Sequence, residues 1–121
     1  MKAMKIGIDI QSTAPMKRFI NTDKMARMFT EMEIAYMRDK NFSLATAAGL
    51  YCAKEAFFKA IGTGIGSPAS MLNVEILHTE TGAPYYNIAS LIMEKHNIGN
   101  SNISLSISHT KSTAVAVCII C

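Results

Sequence analysis

The 121-residue sequence has no run approaching the roughly 18–20 consecutive apolar residues that a membrane-spanning helix requires. Lys2, Lys5 and Asp9 also interrupt the first residues before an apolar signal core could form. The expectation is a cytoplasmic protein with no membrane partner. Cysteine is scarce and odd in number, at Cys52, Cys118 and Cys121. Cys118 and Cys121 have CxxC spacing, but no second pair completes a zinc knuckle and no helix start follows them to make a redox motif. Reduced thiols fit this pattern better than a disulfide framework.

Charge is also sparse, at 17% of residues, and nearly balanced: Lys and Arg total 12, Asp and Glu 9, for a formal net charge of +3. That bias is too weak to suggest a nucleic-acid partner, although it favours an anionic cofactor or an acidic protein. The GTGIG segment lacks the Gly-Lys-Ser/Thr ending of a P-loop, and no Ser-His-Asp nucleophile pattern is evident. There is no fixed-period repeat and no long low-complexity linker, so residues 1–121 read as a single domain. The apolar fraction is 50%. This leaves side chains available for a subunit interface, while Ala and nine Met residues equally explain the figure.

Residues 4–10, MKIGIDI, alternate Ile6, Ile8 and Ile10 with Gly7 and Asp9. This is a period-two strand expected to bury its isoleucines and direct Asp9 to the other face. A helix is expected over 17–29, and the capping-box pattern of Thr30 and Glu33 predicts another over 31–38. Ser43 precedes the longest helix, 44–61, which Gly62, Gly64, Gly66 and Pro68 terminate. A strand over 70–78, a turn over 79–82, a short strand over 84–88 and a helix over 89–96 follow. Ile103, Leu105 and Ile107 then alternate with serines up to His109, and 110–112 connects this strand to another over 113–120. The order predicts an α+β fold, with an antiparallel sheet packed against one long and several shorter helices.

Asp9 in an apolar strand and Glu55 in an apolar-rich helix are hard oxygen donors of the kind Mg²⁺ takes, if the fold brings them together. The plainer alternatives are a solvent-facing Asp9 and a Glu55 paired with Lys59 one helical turn later. Lys59 near a diphosphate would neutralise leaving-group charge. The turn over 62–66 reads either as a phosphate approach or as an ordinary helix stop. His109, close to Lys111, is open to phosphate binding or to a structural role.

Three ordered segments give these candidates a common meaning: IGIDI at 6–10, YCAKEAFFKAIGTGIG at 51–66 and SISHTK at 106–111, with GAP at 82–84 between them. Together they resemble the bacterial holo-acyl-carrier-protein synthases of the phosphopantetheinyl transferase superfamily. The resemblance implies that family's fold and transfer of 4'-phosphopantetheine from coenzyme A to a serine of an acidic apo acyl carrier protein. Adenosine 3',5'-bisphosphate is the released product, and fatty acid biosynthesis is the implied setting. It further implies Asp9 and Glu55 as Mg²⁺ ligands and Glu55 and Lys59 as catalytic residues. Lys59, Gly62, Gly64, Gly66, Pro68, His109 and Lys111 fall on the coenzyme A side, in a homotrimer with sites between subunits. The chain departs from the family pattern where QSTAPMKR follows IGIDI in place of an acidic residue and an arginine. Leu50 and Tyr51 also replace the first two residues of RFAAKEA, leaving Lys17 or Arg18 to supply the missing charge. The competing expectation is a coenzyme A or nucleotide-binding regulatory domain without transferase activity.

Overall fold

A computed structural model of the chain describes residues 3–63 and 68–121. Its longest helix, α3 (Leu44–Ala60), buries residues on nearly every side, from Ala45 to Ala60. Such a helix needs neighbours all round. Its main floor is a three-stranded antiparallel sheet made by β1 (Lys5–Ser12), β5 (Thr113–Ile120) and β4 (Ile103–His109), in the order β1-β5-β4. A second antiparallel pair, β2 (Val74–His78) and β3 (Pro84–Ile88), stands apart from that sheet in hydrogen bonding. The mixed α+β architecture matches the sequence expectation, and the terminal hairpin acquires β1 along the free edge of β5.

The facing of β1 reverses the expectation. Ile6, Ile8 and Ile10 are 61%, 60% and 67% exposed, whereas Gly7 and Asp9 are buried. The cause is the close approach of α3. A Cβ on Gly7 would lie 1.9 Å from the Ala56 carbonyl oxygen and 2.6 Å from the Ala60 amide nitrogen, so the helix backbone rests on a position only glycine can occupy. Ala114, Ala116 and Cys118, small residues on the same face of β5, extend this floor. The isoleucines consequently fall on the outer face, level with Ile119, Val117 and Val115 of β5.

Helix α2 (Glu31–Asp39) begins with the predicted capping box. The Thr30 hydroxyl accepts from the Glu33 amide at 3.2 Å, and a Glu33 carboxylate oxygen accepts from the Thr30 amide at 2.8 Å. Fully buried, Glu33 also pairs with Lys54 Nζ at 2.8 Å, and Lys54 donates to the carbonyls of Met71 and Val74 at 2.8 and 2.7 Å. This network ties α2, α3 and the start of β2 together. The helix expected over 17–29 is instead a 3₁₀ turn (Ala14–Arg18) and a single helical turn, α1 (Met25–Met28). Asn21 at φ 58° breaks the run between them. The strand expected from residue 70 begins at Val74, because helix α4 (Pro68–Leu72) occupies the residues before it. Helix α5 (Ser90–Lys95) falls where the helix over 89–96 was expected.

Candidate active site

The inner face of β1 presents Asp9 and Gln11, two residues apart and therefore on the same side, toward the C-terminal half of α3. Helix α3 presents Tyr51, Glu55 and Lys59, spaced by four residues along one stripe. The elements meet in a hydrogen-bonded group in which every carboxylate oxygen has a donor. Lys59 Nζ lies 3.0 Å from Asp9 Oδ1, and Gln11 Nε2 donates to Asp9 Oδ2 at 2.9 Å and to Glu55 Oε2 at 3.0 Å. The Tyr51 hydroxyl donates to Glu55 Oε1 at 3.0 Å. Asp9 is only 5% exposed, which excludes the solvent-facing alternative, and Lys59 pairs with Asp9 across the interface between strand and helix.

Burial, reinforced by the neighbouring Asp9 carboxylate, raises the pKa of Glu55 above the ordinary carboxylate range. Burial and Glu55 together push the Tyr51 hydroxyl up to about 12, keeping it a donor at neutral pH. The bond to Asp9 raises Lys59, whose side chain is 55% exposed, so its ammonium faces solvent at the mouth of the group. Two close carboxylates, one of them with a raised pKa at Glu55, favour a cation between them, and their oxygens are hard donors. Among the described residues no group of three or more His, Cys, Asp and Glu forms a metal cage. A magnesium ion fits such an open pair, because it characteristically completes its shell with phosphate oxygens and water.

His109 lies elsewhere. It ends β4 and lines a cavity of about 200 Å³ with His78, Gly82, Pro84 and Leu50, beside Gly49 of α3. Gly49 and Glu55 are separated by six residues, roughly 9 Å along the helix axis. The structure therefore places the histidine and the GAP segment in one cluster, and Asp9, Glu55 and Lys59 in another. Buried Leu50 supplies apolar wall where the family pattern has arginine. Gly62 follows α3 at φ 82° with open space where a Cβ would be, and Lys111 is exposed in the β4–β5 turn. That turn is anchored to the end of β1, since the Thr13 hydroxyl donates to the Lys111 carbonyl at 2.8 Å. Lys17 and Arg18 are exposed just beyond β1. Gly64 and Gly66 lie outside the described residues, as does the side chain of Pro68.

Sequence reasoning left Gln11 unassigned and gave Tyr51 no function. Both had a readable signal: Gln11 shares the strand face of Asp9, and Tyr51 precedes Glu55 by four helical positions. His78, which stacks on Tyr36 with ring centroids 3.7 Å apart, carried no comparable signal.

A family profile described as the 4'-phosphopantetheinyl transferase superfamily matches residues 5–118. The chain belongs to this superfamily. Within it, the chain is 37% identical over 117 residues to a holo-(acyl-carrier-protein) synthase of Clostridium botulinum, covering 95% of this chain and 94% of that one. It is 42% identical over 118 residues to the corresponding synthase of Caldicellulosiruptor saccharolyticus, covering 94% and 93%. The solved Helicobacter pylori holo-(acyl-carrier-protein) synthase in complex with coenzyme A has a TM-score of 0.80 at 32% identity, covering 96% of this chain and 99% of that one.

Proposed function

We propose that this protein transfers 4'-phosphopantetheine from coenzyme A to a serine of an apo acyl carrier protein, releasing adenosine 3',5'-bisphosphate. The observation that carries this reading is the joining of Asp9, Glu55 and Lys59 in a chain that matches the synthases over nearly its whole length. The serine oxygen forms a bond to the β-phosphorus as the diphosphate bridge breaks, and the leaving phosphate departs on the adenosine side. Glu55, with its pKa raised, is suited to accept the serine proton. The Lys59 ammonium stands at the open edge of the group, where it offsets charge on the leaving phosphate. Asp9 and Glu55 are the residues that would hold Mg²⁺, which when bound neutralises diphosphate charge and polarises the phosphoryl group. His109 and the cavity beside Gly82 and Pro84 position coenzyme A, with Gly62, Gly64, Gly66, Pro68 and Lys111 on the same substrate's path.

We further propose a homotrimer built on the outer face of the sheet. In the isolated chain Ile6, Ile8 and Ile10, flanked by Val115, Val117 and Ile119, form an apolar surface of the kind that subunit contacts cover. The active site of that trimer lies between neighbouring subunits, in keeping with the separation of the His109 cluster from the carboxylates within one chain. Residues 1–121 act as a single domain, and the three free cysteines suit the reducing cytoplasm. The net charge of +3 favours an acidic carrier. No described helix is long and apolar enough to cross a membrane. The direct test is chromatographic detection of adenosine 3',5'-bisphosphate from coenzyme A, Mg²⁺ and apo carrier. Release that depends on the carrier supports transfer; coenzyme A binding with no release from any of several acidic carriers favours a regulatory binding domain.

A further inference from the structure

Gln11 lies just past the IGIDI segment, outside the residues to which the resemblance gives a role. Its amide nitrogen lies 2.9 Å from Asp9 and 3.0 Å from Glu55, so one NH₂ group spends its two hydrogens on two carboxylates from different elements. The bridge spans 44 residues of sequence and reaches both Asp9 and Glu55, whereas Lys59 and Tyr51 each serve one carboxylate. The register explains its reach. Gln11 lies opposite Ala114 and Asp9 opposite Ala116 on the inner face, where the small β5 side chains leave the longer β1 side chains room to extend under α3.

We propose that Gln11 is a third, uncharged member of the carboxylate site, bridging Asp9 and Glu55 through its nitrogen when no cation is present and facing a bound cation through its carbonyl oxygen. This rests on the reading of Asp9 and Glu55 as a cation pair. The amide N–H groups oppose a divalent cation placed between those carboxylates, so the cation and the observed bridge exclude each other. Rotation about the terminal side-chain bond, which has a broad two-fold profile, exchanges nitrogen for oxygen without moving the backbone. A carboxamide oxygen is an accepted ligand for hard cations alongside carboxylates. One residue thus holds the pair assembled before the cation arrives and adds a neutral donor afterwards.

The test is Mn²⁺ binding to the full chain without coenzyme A, followed by electron paramagnetic resonance of the free ion and by thermal denaturation with and without Mn²⁺. Gln11→Leu keeps the side-chain bulk and removes both polar atoms; it should weaken Mn²⁺ binding about tenfold or more, the range that loss of a supporting group at a metal site produces. Gln11→Glu keeps the length and supplies oxygen only. It should bind Mn²⁺ at least as tightly as the wild type and gain more thermal stability from the ion than the wild type does. Glu55→Gln separates the two levels of inference. Loss of binding in Glu55→Gln with unchanged affinity in Gln11→Leu overturns the role of Gln11 alone, as does a Gln11→Glu variant that binds more weakly than the wild type. Equal binding by the wild type and Glu55→Gln overturns the cation pair and the inference together. Should Gln11→Leu fail to fold, the Gln11→Glu comparison decides by the same criterion.

Discussion

Replacing Gly7 with alanine tests whether contact between α3 and β1 sets the geometry of the site. The new Cβ would stand 1.9 Å from the Ala56 carbonyl oxygen, about 1.5 Å short of the 3.4 Å at which ordinary contact begins. Its other close neighbour, the Ala60 amide nitrogen at 2.6 Å, is also backbone, so no rotamer change relieves the clash. Helix and strand must separate. Overpacking generally destabilises by about 1–3 kcal/mol, and a clash with helix backbone at two points belongs at the upper end, about 3 kcal/mol. For a domain of this size that is a fall in Tm on the order of 10 °C. The same separation pulls Glu55 and Lys59 away from Asp9 and Gln11, and a displacement on the order of 1 Å at a reacting centre can lower the rate about 100-fold. Circular dichroism melting and a carrier-transfer assay on Gly7→Ala measure both effects. Gly99→Ala, where a Cβ meets nothing within 4 Å, is the control and should stay within about 0.5 kcal/mol of the wild type. A Gly7→Ala protein melting within about 2 °C of the wild type, with unchanged transfer, would refute the reasoning.

Lys54→Met leaves Glu33 buried without its cation and the Met71 and Val74 carbonyls without their donor; urea denaturation should show a loss of about 3–5 kcal/mol, and a loss below about 1 kcal/mol would contradict the assigned network. Burial and neighbouring carboxylates hold Cys52 and Tyr51 protonated up to about 12, from ordinary values of 9.0 and 10.0. Because the folded pKa values are raised, the stability they confer is complete below pH 9 and lost as pH climbs toward 12, so the urea midpoint should fall across that window; a midpoint that rises there contradicts the assignment. Ile8→Lys puts a charge into the apolar outer face without touching the inner one, so native mass spectrometry should find monomer in place of trimer while the melting curve of the monomer stays cooperative.

The elements were legible where a local rule decided them. Thr30 and Glu33 announced a capping box, Ser43 and the unbroken run after it announced α3, and the alternation around Ile103 announced β4. Alternation in β1 showed a strand but could not say which face is buried, because that depends on α3 resting against Gly7, and α3 is distant in sequence. The same nonlocal contact decides the site. Asp9, Glu55 and Lys59 were recognisable as residues, but their pairing follows from the meeting of two elements. It runs Lys59 to Asp9, where helical spacing alone suggested Lys59 to Glu55. Lys54 could have been taken for an ordinary surface lysine, yet it is fully buried because a carboxylate and two carbonyls from α2, α4 and β2 converge on it.

The central claim is that Glu55 and its partners move phosphopantetheine onto a carrier serine. Intact-mass spectrometry of an apo carrier incubated with coenzyme A, Mg²⁺ and this protein measures that event on the product itself. The wild type should add the mass of one phosphopantetheine to the carrier, and Glu55→Gln, which retains helix propensity and side-chain size, should do so about 100-fold more slowly or worse. A carrier whose mass never changes in the presence of the wild type, or changes equally fast with Glu55→Gln, would contradict it.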